Sequence, residues 1–280
     1  MPSLTDRIID GKVTIPSIPA IVQKVNALLM NPDAGVGEIG RLIAFDAPMA
    51  SKVLRIANSA HYGLRERVIS LEHASAVLGS RVLRNIVMQA SVIERFGGVK
   101  EDAGFKVEEL WRHSILCGQV AQTLRRISQA GLDLSPDEFY SCGLLHDLGQ
   151  VVLMENLPDR YTLALHCAHM RNIPIFAAET QVLGFTHAEI GARIAMRWGL
   201  PEGVVSAIQY HHGPQEEIEA DPNVALVDLA NLVSRDLLAN EHERAATRLT
   251  PEVSSALGIE ESAFLRELEA ARETMDEIEV

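Results

Sequence analysis

Cysteine is scarce in this chain: Cys117, Cys142 and Cys167 make an odd number and form no C-x-x-C spacing. That pattern fits reduced thiols used as small core residues, and none of the three has a context that argues for a nucleophile. Long apolar runs are missing too, since no stretch approaches the roughly 18 residues of a membrane span. The N-terminus lacks the basic residues and hydrophobic block of a signal peptide, so the cytoplasm is the expected compartment and no membrane partner is expected. Basic charge is in deficit, with 25 Lys and Arg against 38 Asp and Glu and a formal net charge of −13. Such a surface repels a phosphate backbone, and the basic residues are scattered, so nucleic-acid binding is disfavoured. No segment alternates with period two for long enough to require a strand, and no internal repeat or low-complexity stretch is present.

What remains is a globular composition with helical periodicity. Hydrophobic residues make up 47% and charged residues 22% of the 280, which excludes disorder over most of the chain and leaves room for one large domain or two modest ones. Ile21, Val22, Val25, Leu28 and Leu29 form a helical stripe with Pro19 suited to its first turn. Asp46 is a candidate N-cap ahead of Pro48, Ala50, Val53, Leu54 and Ala57, in a helix expected to stop near Asn58-Ser59. Val82, Leu83, Ile86, Val87, Ala90 and Ile93 predict a further helix that runs into Gly97-Gly98, the best candidate boundary. Beyond it, helices are expected over Leu110 to Ile127, from Pro136 with a break at Gly149, from Pro158, Pro174 and Pro201, over Val224 to Leu238, and in a Glu-rich C-terminal segment from Glu260. The fold class is all-α. The tail after Pro222, with the charged Glu241 to Arg244 segment and the Glu-rich helix, is read as able to pack on the body or on a partner, and its acidic run as a solvated face.

Chemistry concentrates in the histidines, of which there are ten. His113, adjacent His146-Asp147, His187, and adjacent His211-His212 stand out by context. Within Gly143-Leu144-Leu145-His146-Asp147-Leu148-Gly149 an apolar helix abruptly presents an imidazole and a carboxylate. Burying both is costly unless they pair, hydrogen-bond or bind a cation. Imidazole with carboxylate suits zinc, iron, manganese or a similar divalent ion, which can also lower the pKa of bound water toward neutrality. His187 starts an amphipathic helix carrying Ile190, Ile194 and Trp198, and His211-His212 closes the helix that begins at Pro201. His61, His73, His166, His169 and His242 lack such settings and are read as structural or exposed.

These residues carry a resemblance. In the N-terminal half it rests on Ile15-Pro16-Ser17-Ile18-Pro19, Asp46-Ala47-Pro48, Val53-Leu54-Arg55-Ile56-Ala57-Asn58-Ser59-Ala60 and Ala76-Val77-Leu78-Gly79. In the C-terminal half it rests on Trp111-Arg112-His113-Ser114, the His146-Asp147 stretch, His187-Ala188-Glu189-Ile190-Gly191-Ala192, Trp198-Gly199-Leu200-Pro201 and His211-His212. Over about residues 15 to 240 the chain resembles the HDOD family, the HD-related output domains of bacterial signalling proteins. The resemblance implies an all-helical fold in which an N-terminal helical bundle packs against an HD-like helical bundle. The corresponding division is 1–98 for the N-terminal subdomain, 99–244 for the HD-like subdomain and 245–280 for a helical tail.

It implies a signal-transduction output module whose partners are a sensor kinase, receiver domain or downstream regulator. No receiver pattern of alternating strands and helices is visible, so such input is expected from another polypeptide. By relation to the HD and HD-GYP phosphohydrolases, it also implies a divalent metal (Fe, Mn, Zn or Ni) or a nucleotide at His113, His146, Asp147, His187, His211 and His212. The departures from those enzymes argue against catalysis. Gln150 stands where HD-GYP enzymes place a lysine, and His211-His212 runs into Gly213-Pro214-Gln215 without the Gly-Tyr-Pro signature. Asn231 occupies the expected last carboxylate position, with Asp228 three residues earlier on the same helical face. The expected function is therefore a non-catalytic regulatory module acting through protein contacts, with a metal-dependent phosphohydrolase acting on a nucleotide or cyclic dinucleotide as the alternative. The apolar and acidic C-terminal helices allow a homodimer.

Overall fold

The computed structural model describes residues 13–31, 37–99, 105–213, 218, 220–239, 249–274 and 278. Every repeating element among them is a helix, so the class is all-α. None of these helices is long and apolar enough to cross a membrane. The Glu241 to Arg244 segment and Pro214-Gln215 lie outside the described residues. By contacts the chain divides into two compact units, one of residues 18–97 with 270–280, the other of residues 1–17 with 98–269.

The first unit is built from α1 (Ala20–Leu29), α2 (Glu38–Ala44), α3 (Ala47–Ala57), α4 (Leu71–Leu78) and α5 (Ser80–Phe96). Asp46 caps α3 as its sequence predicts, accepting a hydrogen bond from the Met49 amide at 3.1 Å with Pro48 in the first turn. The helix stops at Asn58 because that side chain turns back on the backbone: Nδ2 donates to the carbonyls of Leu54 and Val68, and Oδ1 accepts from the Val68 amide. Val22, Val25, Ile43, Val53, Leu83 and Ile86 form its core. The short helices α2 and α4 carry no sequence signal strong enough to be expected. They are fixed by packing, since a Cβ on Gly40 would meet the Leu71 backbone at 2.8 Å.

The second unit contains α6 (Val107–Ile127), α7 (Pro136–Leu145), α8 (Leu148–Asn156), α9 (Pro158–Arg171), α10 (Ile175–Val182), α11 (His187–Arg197), α12 (Glu202–Tyr210), α13 (Pro222–Leu238), α14 (Pro251–Leu257) and the start of α15 (Glu261–Thr274). Capping boxes start two of them: Ser135 with Glu138 at α7, and Thr186 with Glu189 at α11. The break expected at Gly149 falls instead at His146-Asp147, the C-cap of α7 and the N-cap of α8. Gly149 has a different task, because a Cβ there would lie 2.0 Å from the His187 carbonyl oxygen, so its absence lets α8 and α11 touch. Gly118 and Gly143 do the same for α6 and α7, with a Cβ on Gly143 falling 2.4 Å from the Gly118 nitrogen.

Two segments assigned elsewhere by sequence belong to this unit. Residues 13–17 lie along it, the Thr14 amide donating to Asn156 Oδ1 at 2.9 Å and Trp198 Nε1 donating to the Pro16 carbonyl at 3.0 Å. In the C-terminal tail, Ser128 Oγ donates to the Leu257 carbonyl, and Leu257, Ile259 and Phe264 are buried.

Candidate metal centre

The six histidine and aspartate side chains singled out by sequence come from five helices of the second unit and meet around Asp147. His113 projects from α6, His146 and Asp147 from the α7–α8 junction, His187 from the first position of α11, and His211 and His212 from the end of α12. Asp147 Oδ2 lies 3.2 Å from His146 Nε2 and 3.7 Å from His113 Nε2. Its other oxygen, Oδ1, lies 3.1 Å from His187 Nε2 and 3.8 Å from His211 Nε2. His212 joins this second side, half-buried and stacked on Phe176 with ring centroids 4.7 Å apart. Asp147 is thus shared by two clusters, His113 and His146 on one side and His187, His211 and His212 on the other, with ligating atoms within 4.8 Å of one another in each.

Three of the rings are held at their outer nitrogen. His146 Nδ1 is 2.7 Å from the Gly143 carbonyl, His211 Nδ1 is 2.7 Å from the Ile208 carbonyl, and His187 Nδ1 is 2.7 Å from Glu179 Oε2. Each of these partners only accepts, so each Nδ1 carries a proton and each Nε2 is turned inward. An outer hydrogen bond that fixes the tautomer and ring orientation is the supporting arrangement of metal-ligating histidines. Inside, the lone pairs of His187 and His211 face a carboxylate oxygen, and Asp147 Oδ1, His187 Nε2 and His211 Nε2 are all buried without a hydrogen-bond partner. Acceptors facing acceptors in a buried site need a cation between them, either a proton taken up by an imidazole or a metal ion.

Protonation shows the same deficit. Burial opposes a charge on His187, yet the Glu179 and Asp147 carboxylates outweigh it and raise its pKa to about 10. For His146 burial again acts against the cation, and Asp147 overcomes it, holding the ring well above its usual value. Burial opposes ionisation of Asp147 as well, but the His146 charge pulls its carboxyl well below the usual range. Burial, reinforced by the neighbouring His146 charge, lowers both His113 and His211 to about 4, and burial with the adjacent His211 pushes His212 down much further. Two imidazolium protons therefore balance the carboxylates of Asp147 and Glu179. A divalent ion in place of those two protons leaves the net charge of the cluster unchanged. The residues fit such an ion: Asp147 with His187, His211 and His212 would hold it on one side, and Asp147 with His113 and His146 on the other. When bound, it supplies Lewis acidity and lowers the pKa of a coordinated water.

At the fourth-helix position, Asn231 Oδ1 lies 3.1 Å from His113 Nε2. Asp228, the weaker alternative, lies outside both clusters. Burial raises its pKa to about 6, which the Arg235 charge only partly offsets. Sequence reasoning missed Glu179, a fully buried carboxylate whose Oε2 also accepts from the His187 amide at 2.9 Å. The cost argument applied to Asp147 would have found it, since it is an acid in the otherwise apolar run Ile175-Phe176-Ala177-Ala178-Glu179. A cleft of about 230 Å3 opens onto Asp147, and its lining includes Gln150, Phe176, His212 and Arg235.

Comparison with known proteins agrees with this fold. An uncharacterized protein of Treponema pallidum is 31% identical over 236 residues, covering 84% of this chain, which spans 44% of that relative's length. The crystal structure of an HDOD domain protein of unknown function from Geobacter sulfurreducens superposes with a TM-score of 0.79 at 24% identity, covering 97% of this chain and 95% of the other. A provisionally named signal transduction protein from Marinobacter aquaeolei VT8 superposes with a TM-score of 0.74 at 25% identity, covering 94% of this chain and 58% of the other. The model of the HDOD domain matches residues 15–214, and the chain belongs to the HDOD domain family.

Proposed function

We propose that the chain is a regulatory output module that holds a divalent metal ion at Asp147 and works through contacts with signalling proteins, without turning over a substrate. The observation that carries this reading is the partner of His113. A neutral amide, Asn231 Oδ1, faces its Nε2 at 3.1 Å where a carboxylate is expected. An amide oxygen is a weaker ligand and gives less support to a metal-bound hydroxide than a carboxylate does. The His187, His211 and Asp147 side remains complete, so the site keeps an ion and loses much of its means of activating water. Fe, Mn, Zn and Ni all suit the donor set. The provisional name of the Marinobacter aquaeolei neighbour supports the signalling part.

The experiment is elemental analysis of the purified chain beside the His146→Ala, Asp147→Ala double variant, followed by assays with cyclic dinucleotides and simple phosphoesters. The wild type is expected to carry near-stoichiometric metal, the double variant none, and neither to turn over. Wild-type protein without metal sinks the metal part of the reading. Turnover that the double variant abolishes replaces the reading with a phosphohydrolase, which the cleft opening onto Asp147 favours.

A further inference from the structure

The cleft over Asp147 is lined by a cation that no step above has used. Arg235 lies on α13 one turn beyond Asn231, exposed, and forms no ion pair with any described residue. Among the lining residues it is the lone permanent cation, and Asp147 is the lone carboxylate. Two amides beside it have their oxygens occupied: Asn231 Oδ1 faces His113, and Gln150 Oε1 accepts from the Tyr161 hydroxyl at 3.0 Å. Their nitrogens are left as donors. Pro174 and Phe176 supply the apolar part of the lining, with Phe176 steadied by its stack on His212.

From this arrangement we infer that Arg235, Asn231 and Gln150 form an anion seat at the mouth of the metal cleft, which takes the phosphoryl group of a small phosphorylated ligand whose ring lies against Pro174 and Phe176. A guanidinium fork matches phosphoryl oxygens in pairs, and amide N–H donors complete the set without adding charge. At ~30 Å3 per water the cleft displaces about eight waters, which sets the scale of a small ligand. Asp147 opposes an anion in the metal-free cleft, and a divalent ion reverses that sign, so the seat rests on the metal-holding reading for its full affinity but not for its existence.

The test is calorimetric titration of the full chain, metal-loaded and chelator-treated, with inorganic phosphate, adenosine 5'-monophosphate and adenosine. The expected results are that the monophosphate binds more tightly than phosphate, adenosine does not bind, and loading with metal tightens both anions. Arg235→Ala should weaken monophosphate binding on the order of ten-fold or more, the loss of one charge-assisted contact, with metal content by elemental analysis unchanged. Arg235→Lys should retain part of the affinity, and Arg197→Ala, an exposed arginine outside the cleft, should retain all of it. Wild-type affinity in Arg235→Ala overturns the inference, as does adenosine binding as well as its monophosphate, or a fully metal-loaded chain that binds neither anion. If the purified chain holds no metal, the proposed function falls, and Arg235-dependent binding to the metal-free chain still decides the seat.

Discussion

Glu179 explains why His187 is more than a buried histidine. Its Oε2 takes hydrogen bonds from both the amide and Nδ1 of His187, at 2.9 and 2.7 Å, so one carboxylate fixes the start of α11 and the direction of the ring. Replacing it with glutamine keeps the shape and removes the charge. Glu179→Gln is expected to weaken metal affinity about 10- to 100-fold, measured by competition with a chromophoric chelator. The same geometry sets a pH dependence. With a pKa of about 10, against about 6.5 in the unfolded chain, the metal-free His187 is protonated at neutral pH. Its contribution to the stability of the metal-free fold is complete below about 6.5 and lost as pH rises through about 10. A metal must displace that proton, so affinity should rise between about pH 7 and 9 and protons should be released on binding. Affinity that does not change over this range would show that His187 is not a ligand.

At the scale of elements, the centre depends on helices approaching more closely than side chains usually permit. Gly149 lets the first turn of α8 lie against the His187 carbonyl, and this contact sets the separation between Asp147 and the His187 ring. The obstruction to any Cβ there is backbone, which cannot swing aside as a side chain can. Gly149→Ala should therefore cost about 2–3 kcal/mol or more of stability, against the gain of a few tenths that alanine usually brings within a helix. Denaturant midpoints measure this, and metal affinity should fall with it, because moving α8 from α11 widens the gap between Asp147 and His187. A neutral or stabilising Gly149→Ala would mean that these helices are not so close. The α7–α8 break belongs to the same logic, since ending one helix and starting another at His146-Asp147 aims both side chains into one space.

At the scale of the whole molecule, units defined by contact are not contiguous in sequence. The chain leaves the unit that holds Asp147 after residue 17 and returns to it at residue 98. Residues 13–17 give that unit a partner for the Trp198 indole and bury Val13. Deleting residues 1–17 strands the indole N–H and exposes apolar surface, so it should lower stability by about 2–3 kcal/mol, read as a fall in the thermal midpoint. An unchanged midpoint would remove residues 13–17 from the folded unit. The sequence alone determined the helical class, the Asp46 cap, the proline-led helix starts and the candidate ligands, because periodicity, capping and the cost of buried charge are local and leave marks along the chain. It left hidden the Glu179 support, the unpaired Arg235 in the cleft, the contact of Asn231 with His113 and the attachment of residues 13–17. Those depend on which helix faces which, and two residues separated by eight or by nearly two hundred positions become partners only when packing brings their helices together.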